Sequence, residues 1–231
     1  MNHATYQIRR RQLEEYFDRT AAEAWTRLTS DAPVGRIRAT VRAGRNRMRE
    51  TLLGYLPGDL SGLRVLDAGC GTGALAVEAA ARGAEVVAID LSSSLVDVAR
   101  ARAAGRDVAP GRIEFQVADM LDPDLGEFDW VVAMDSLIHY AADDLVAMVE
   151  RLADRSRLGV AFTFAPRTRV LSMMHRVGQV FPRANRSPDI VPIEALALRR
   201  RLDGLSRWRV GRSERIDSTF YTSQTMELVG G

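Results

Sequence analysis

The 231-residue sequence predicts an α/β domain on a mostly parallel seven-stranded sheet, helices covering both faces, with a helical arm before it and an insertion after strand five. Two observations lead there. From residue 64 onward, short apolar runs rich in Val, Ile and Leu alternate with helical runs of 11 to 13 residues, the rhythm of strand–helix–strand units. The first of these strands runs straight into a glycine cluster, "VLDAGCGTGA", which opens a helix. At 46% apolar residues, the chain has enough material for one full core.

Before that rhythm begins, residues 6–30 read as an amphipathic helix whose apolar set is Ile8, Leu13, Tyr16, Phe17, Trp25 and Leu28. "SDAP" breaks it, and residues 35–55 read as a second, arginine-rich helix ended by "LPGDLSG". These sixty residues form the expected arm or lid, 1–60, and the sheet domain spans 61–231. In it, "RVLDAG", "EVVAID", "RIEFQVAD", "FDWVVAMD" and "LGVAFTFAP" are the strands; "GALAVEAAARG", "SSLVDVARARAA", capped near Ser92, and "DDLVAMVERLADR" are helices. Past Pro166 the rhythm changes. "RTRVLSMMHRVGQVFPR" reads as a helix, followed by a proline-rich loop and a short helix at 193–203, so 166–204 is the expected substrate-covering insertion. The last two β-patterned runs, in "WRVGRSERIDSTFYTSQTMELV", can pair antiparallel at the sheet's end.

Composition narrows the chemistry. One cysteine, Cys70, leaves no disulfide framework and no cysteine-based zinc site, and fits a reducing cytosol; no protein-bound metal is expected. No apolar run approaches the roughly 18 residues that span a bilayer, and the N-terminus lacks a signal-peptide core, so the expectation is a cytoplasmic protein, at most peripheral to a membrane. All 32 basic residues are arginine, which excludes Schiff-base and other lysine chemistry. Their distribution is uneven. Residues 1–60 hold 11 arginines against 7 acids, residues 61–150 hold 6 against 16, and residues 151–231 hold 15 against 7. An acidic middle between basic flanks suits a cationic ligand in one part and anions in another.

The acidic middle has an order. Gly69, Gly71 and Gly73 let the backbone turn tightly and approach a ligand, a pattern that also fits dinucleotide sites. Asp90, ending the second strand, is the acid expected on a ribose diol in either case. Asp67, two residues before the first glycine, would repel a pyrophosphate but welcome an ammonium or sulfonium. Asp119, ending the third strand, can accept from an adenine amino group. S-adenosylmethionine carries all of these groups. Leu91 and Met120, next to the two acids, and Asp135, at the cofactor's methionine end, complete the expected cofactor set. Cys70 inside the loop reads as a small buried filler.

"VLDAGCGTG", "VVAIDLS", "VADM" and "FDWVVAMDSL" resemble the Rossmann-like class I S-adenosylmethionine-dependent methyltransferases, over about residues 64–165. The flanks are more specific. "YFDRTAAEAWTRLTSDAPVGRIRATVRAGRNRMR", "MDSLIHY", "FTFAPRTRVL" and "FYTSQTMEL" are similar to the magnesium-protoporphyrin IX O-methyltransferase family, nearly end to end. That resemblance implies transfer of a methyl group to one propionate of magnesium protoporphyrin IX in chlorophyll and bacteriochlorophyll synthesis. It also implies association with photosynthetic membranes and cooperation with magnesium chelatase. Nucleic acid is not an expected partner, since "MDSLIHY" stands where an N-P-P-Y signature would.

A flat apolar ring with two propionates calls for apolar surface and arginines. Trp25 with Arg19, and Met174 with Arg167, are the candidates for that contact, although such residues also serve as core or solvated surface. His139, just past strand four, has three open roles: orienting the propionate, ligating the porphyrin magnesium, or capping local backbone. Tyr16 is the second catalytic candidate, as a lid residue on the carboxylate or as simple helix packing. A methyltransferase acting on a quinone precursor, and a non-catalytic carrier of cofactor or porphyrin, are the rival readings.

Overall fold

A computed structural model describes residues 3–29, 33, 35–105, 112–167 and 189–231, with the side chains of 3, 4 and 19–24 left aside. The arm consists of α1 (His3–Glu15), a π-helical stretch (Tyr16–Ala21), α2 (Ala22–Leu28) and α3 (Arg36–Leu53). Then follow β1 (Arg64–Ala68), α4 (Ala74–Ala81), β2 (Glu85–Asp90), α5 (Ser93–Ala104), β3 (Ile113–Val117), β4 (Phe128–Ala133), α6 (Ala142–Asp154) and β5 (Ser156–Phe164). The chain ends with α7 (Ala195–Leu202), β6 (Trp208–Val210), β7 (Arg215–Ser218) and β8 (Tyr221–Gly230).

The sheet runs β3-β2-β1-β4-β5-β8-β6, with β7 also paired to β8. Five strands are parallel and the β8 pairings are antiparallel. Strand order reverses between β1 and β4, so their carboxyl ends part and leave a crevice there. Alternation along each strand sends side chains to two cores. Leu66, Val87, Val131 and Phe162 meet Leu145, Met148 and Leu152 of α6, while Val65, Val86, Val132 and Ala161 meet Leu52 and Leu53 of α3 and Leu75, Ala76 and Ala79 of α4.

Two details differ from the sequence expectation. The helix expected over 6–30 is interrupted by the π-helical stretch, a wider turn that lets Asp18 reach α5. There its Oδ1 accepts from Ser92 Oγ at 2.6 Å and from the Ser94 amide at 3.2 Å, while Ser92 itself caps α5 by accepting from the Leu95 amide. At the other end, the first of the two final β-patterned runs is split into β6 and β7, giving an eighth strand. Between them, residues 211–214 face only 225–227 of β8 and bulge while keeping backbone bonds to Thr225 and Glu227, and the Glu227 side chain takes the Arg212 amide at 3.0 Å and its guanidinium at 2.6 and 2.9 Å. The helix expected at 167–183 and most of the insertion lie outside the described residues; the short helix at 193–203 is α7.

Helix α3 is seated by an absence. A glycine inside a helix costs about 1 kcal/mol relative to alanine, yet Gly44 sits in the middle of α3 because a Cβ there would come 2.5 Å from Cδ1 of Tyr221. A valine at 44 overfills that contact. Gly44→Val should destabilise the fold by about 2 kcal/mol, read as a lower urea midpoint with an unchanged slope; an unchanged midpoint would show that Tyr221 gives way.

Candidate active site

The crevice between β1 and β4 opens into a cleft of about 1190 Å³, counting its mouth. Its floor is the glycine turn and the carboxyl ends of β1 to β4; α3 forms one wall, and Tyr6, Leu13, Phe17 and Trp25 of the arm form the roof. The turn depends on its glycines. Gly69, at φ +91°, leaves no space for a Cβ, which would meet the Ser136 Cβ at 2.4 Å; Gly71, at φ +52°, lies under the Trp25 indole. Gly73, expected on the cofactor, does not line the cleft. It stands at the start of α4 and packs against Ala99 and Phe115, so its part is to seat the helix.

Asp67 and Asp90 are both at the floor. Asp90 is tied to the turn, accepting from the Gly71 amide at 2.9 Å and the Ser92 amide at 3.0 Å. Asp67 is only 1% exposed, and its Oδ2 has no hydrogen-bond partner among the described residues. Burial, then the charge of Asp90, pushes its carboxyl up to about 7, and burial likewise raises Asp90. A buried carboxylate oxygen beside a second acid and open to a cleft is what a cationic ligand requires, so the residues fit S-adenosylmethionine. Leu91, Met120 and Asp119 line the same cleft. Cys70 is buried, with its thiol raised by burial and by the two acids, which suits a filler and not a nucleophile.

Three of the expected site residues also have protein partners, and Asp119 and Asp135 line the cleft as well. Asp119 accepts from the Tyr6 hydroxyl at 2.5 Å and from Arg10 at 3.3 Å, which pins α1 across the cleft. Burial and that bond hold the Tyr6 phenol above its ordinary range, so it stays a donor. Tyr6 also stacks on Tyr140 at 5.7 Å. Asp135 adopts φ +55° and accepts from Arg45 at 2.5 Å, from Tyr221 at 3.2 Å, and from Ser223 and Thr163. Tyr16 packs edge-on against Phe17 at 5.2 Å, and the ring that reaches the cleft is Phe17.

His139 lies in a short turn after β4, lines the cleft and is 5% exposed. Its Nδ1 is 3.4 Å from the Asp189 carbonyl, which can only accept, and Phe17 sits edge-on to the ring at 6.2 Å. Trp25 lines the cleft. Arg167 is exposed, and its backbone amide bonds the Ile193 carbonyl. The Arg19 side chain and Met174 lie outside the described residues. Tyr6, Arg10 and Arg45 carry no motif that marks them in the sequence; they are recognised only once the fold brings α1 and α3 to the strand ends. Among the described residues, no group of His, Cys, Asp or Glu side chains is placed to hold a metal ion.

Comparison with known proteins agrees with this geometry. Residues 65–159 match a general methyltransferase domain, and residues 133–230 match the C-terminal region of magnesium-protoporphyrin IX methyltransferases. The magnesium-protoporphyrin O-methyltransferase of Rhodobacter capsulatus is 47% identical over 219 residues, 94% of this chain and 95% of that one. The crystal structure of magnesium protoporphyrin IX methyltransferase from Synechocystis with bound SAH superposes with a TM-score of 0.85 at 28% identity, covering 96% of this chain and 99% of that one. A ubiquinone biosynthesis O-methyltransferase of Alkalilimnicola ehrlichii is 38% identical, but over 94 residues only, 41% of this chain and 38% of its own.

The raised Asp67 carboxyl carries a sign for stability. The folded state holds that proton more tightly than the unfolded chain, so the contribution is complete below the ordinary aspartate value of about 4 and is lost as pH rises to about 7. In ligand-free protein, Asp67→Asn should therefore flatten the fall in stability between pH 5 and pH 8, measured by urea unfolding. An identical pH profile in the two proteins would show Asp67 to be ordinary.

The turn, the paired acids, the arm that roofs them and the likeness that runs through all three place the chain in the magnesium-protoporphyrin O-methyltransferase family.

Proposed function

We propose that the protein transfers a methyl group from S-adenosylmethionine to a propionate carboxylate of magnesium protoporphyrin IX, giving the monomethyl ester in bacteriochlorophyll or chlorophyll synthesis. One observation carries this reading: the likeness to the family extends over 94% of the chain, arm and C-terminal part included, whereas the likeness to ubiquinone biosynthesis O-methyltransferases covers 41% of it in one relative and 53% in another. A shared cofactor half explains the second; a shared acceptor is needed to explain the first.

S-adenosylmethionine, when bound, supplies an electrophilic methyl group on a positively charged sulfur. The work left to the chain is modest in proton chemistry and demanding in placement. A propionate, with a pKa of about 4 to 5, is ionised at neutral pH and needs no strong base. It must lose water and be held in line with the methyl group. Asp67 and Asp90 hold the donor's cationic and ribose groups at the floor. Phe17, Leu13 and Trp25 exclude water from above and give the porphyrin an apolar wall, while Tyr6 on Asp119 keeps that roof in place.

His139 touches the acceptor. Orienting a propionate uses a ring proton, whereas ligating magnesium uses a ring lone pair, so the two roles are exclusive at one nitrogen. Tyr16 acts through Phe17, as a positioning residue in the lid. Arg19, Arg167 and Met174 are the further substrate contacts of this proposal, the arginines suiting propionates and the methionine the apolar ring. Contact with a photosynthetic membrane and with a magnesium chelatase subunit is part of the same proposal, supported by the family likeness and the two basic flanks. No helix among the described residues is long and apolar enough to cross a membrane.

The test is methyl transfer by purified protein to magnesium protoporphyrin, metal-free protoporphyrin and a catechol, read by chromatography with mass detection. A monoester from the porphyrin is the expected product; methylated catechol with no porphyrin ester would overturn the reading. His139→Ala and His139→Gln should each lower porphyrin turnover about tenfold or more. A loss confined to the magnesium porphyrin assigns the metal role, an equal loss on both porphyrins assigns the propionate, and full turnover in both variants removes His139 from the mechanism.

A further inference from the structure

Three arginines of α3 line the cleft, and their circumstances differ. Arg42 is spent on the end of α2, donating to the Leu28 carbonyl at 2.9 Å and the Arg27 carbonyl at 3.0 Å. Arg49 is spent on Glu78 at 2.6 Å and Asn46 at 3.1 Å. Arg45 donates one N–H to Asp135 at 2.5 Å and lays its guanidinium over the Trp25 ring at 4.5 Å. Among the described residues, its remaining N–H groups have no hydrogen-bond acceptor, and the side chain is 16% exposed in the cleft wall.

The partner of Arg45 is unusual in its own right. Asp135 is the one non-glycine residue with positive φ among the described residues. Its amide donates to Thr163 Oγ1 at 2.7 Å, and its carboxylate accepts from Tyr221, Ser223 and Thr163 besides Arg45. Thr163 and Ser223 hold Oδ1, Tyr221 is shared between the two oxygens, and Arg45 is the charged donor on Oδ2. Asp135, expected from the sequence to hold the cofactor directly, is thus built to fix Arg45. Gly44, beside Arg45 in the chain, gives Tyr221 the space from which it reaches Asp135. A guanidinium fixed at one corner and stacked on an indole face has lost its freedom before a ligand arrives, and it presents a planar fork that suits a carboxylate.

We propose that Arg45, held by Asp135 and Trp25, is the carboxylate receptor of the cleft. The inference rests on the methyltransferase reading above. Two carboxylates are within that reading, the one on the donor's amino-acid end and the propionate of the acceptor, and the binding chemistry is the same. The nearness of the Asp135–Ser136 turn to Gly69 puts the receptor beside the glycine turn.

The experiment is calorimetry of S-adenosylhomocysteine and of decarboxylated S-adenosylmethionine binding to wild type, Arg45→Gln and Arg45→Lys. It is combined with titration of magnesium protoporphyrin by absorbance and with steady-state KM and kcat. If Arg45 takes the donor's carboxylate, Arg45→Gln weakens S-adenosylhomocysteine about tenfold or more while the decarboxylated analogue changes by less than about twofold. If it takes the acceptor's, S-adenosylhomocysteine is unaffected, and porphyrin affinity falls about tenfold with kcat nearly unchanged. Arg45→Lys, which keeps the charge and loses the fork, falls between in whichever arm responds, and it decides the matter if Arg45→Gln does not fold. Equal weakening of both nucleoside ligands, or no change in any arm, overturns the proposal. The calorimetric arm needs no turnover, so a wild-type protein that fails to methylate the porphyrin would remove the function without removing the receptor.

Discussion

A buried carboxylate next to another carboxylate is expensive, and the cleft is organised around that expense. Asp67 and Asp90 end neighbouring parallel strands, where the backbone of the glycine turn has no cation to give them. Asp90 is relieved by two backbone amides; Asp67 keeps one oxygen without a partner and carries its proton close to neutral pH. A cation entering the cleft removes the penalty, and the charge of the site becomes its selectivity. The same pair would repel a pyrophosphate.

The roof follows from this. Electrostatic selectivity at the floor is strong only where water is kept out, and the arm does that with the buried Tyr6 and Leu13 and with Phe17, held in place by polar tethers. Tyr6 and Arg10 reach Asp119, Asp18 caps α5, Thr29 takes Thr72 at 2.9 Å, and Arg102 holds the carbonyls of Thr26 and Thr29. The tethers end on different strands and helices of the domain, so the arm is registered on the sheet as a whole. Opposite charge is kept apart within the same space: the acids at the floor, and the arginine fork of α3 on the wall. A donor with a cationic end and an acceptor with an anionic one each find the complementary side.

Much of this was legible in the chain before folding. The apolar strand running into "GCGTG" and the acids at strand ends follow from local rules: alternation, turn chemistry and the habit of parallel sheets of binding ligands at their carboxyl edge. So do the Ser92 cap and the buried Cys70. Contacts between residues far apart in sequence were not legible. Nothing in "VADM" announces that Asp119 also takes Tyr6, 113 positions earlier. Asp135 looked like a ligand contact because Arg45 lies 90 positions before it and Tyr221 86 positions after it. Gly73 matched a ligand-approach motif but serves helix packing. The π-helical turn that brings Asp18 to Ser92 and the bulge where Glu227 meets Arg212 leave no periodic trace in the sequence.

The claim on which the rest stands is that Asp67 releases its proton to solvent when a cationic ligand binds. Calorimetry of S-adenosylmethionine binding near pH 6.5, repeated in buffers of different ionisation enthalpy, measures this directly. The account predicts a net release of protons on binding, shrinking as pH rises above about 7. Binding with no proton release across that range would mean that Asp67 is already ionised without a ligand, and the cleft would then owe its selectivity to something other than a buried, waiting carboxylate.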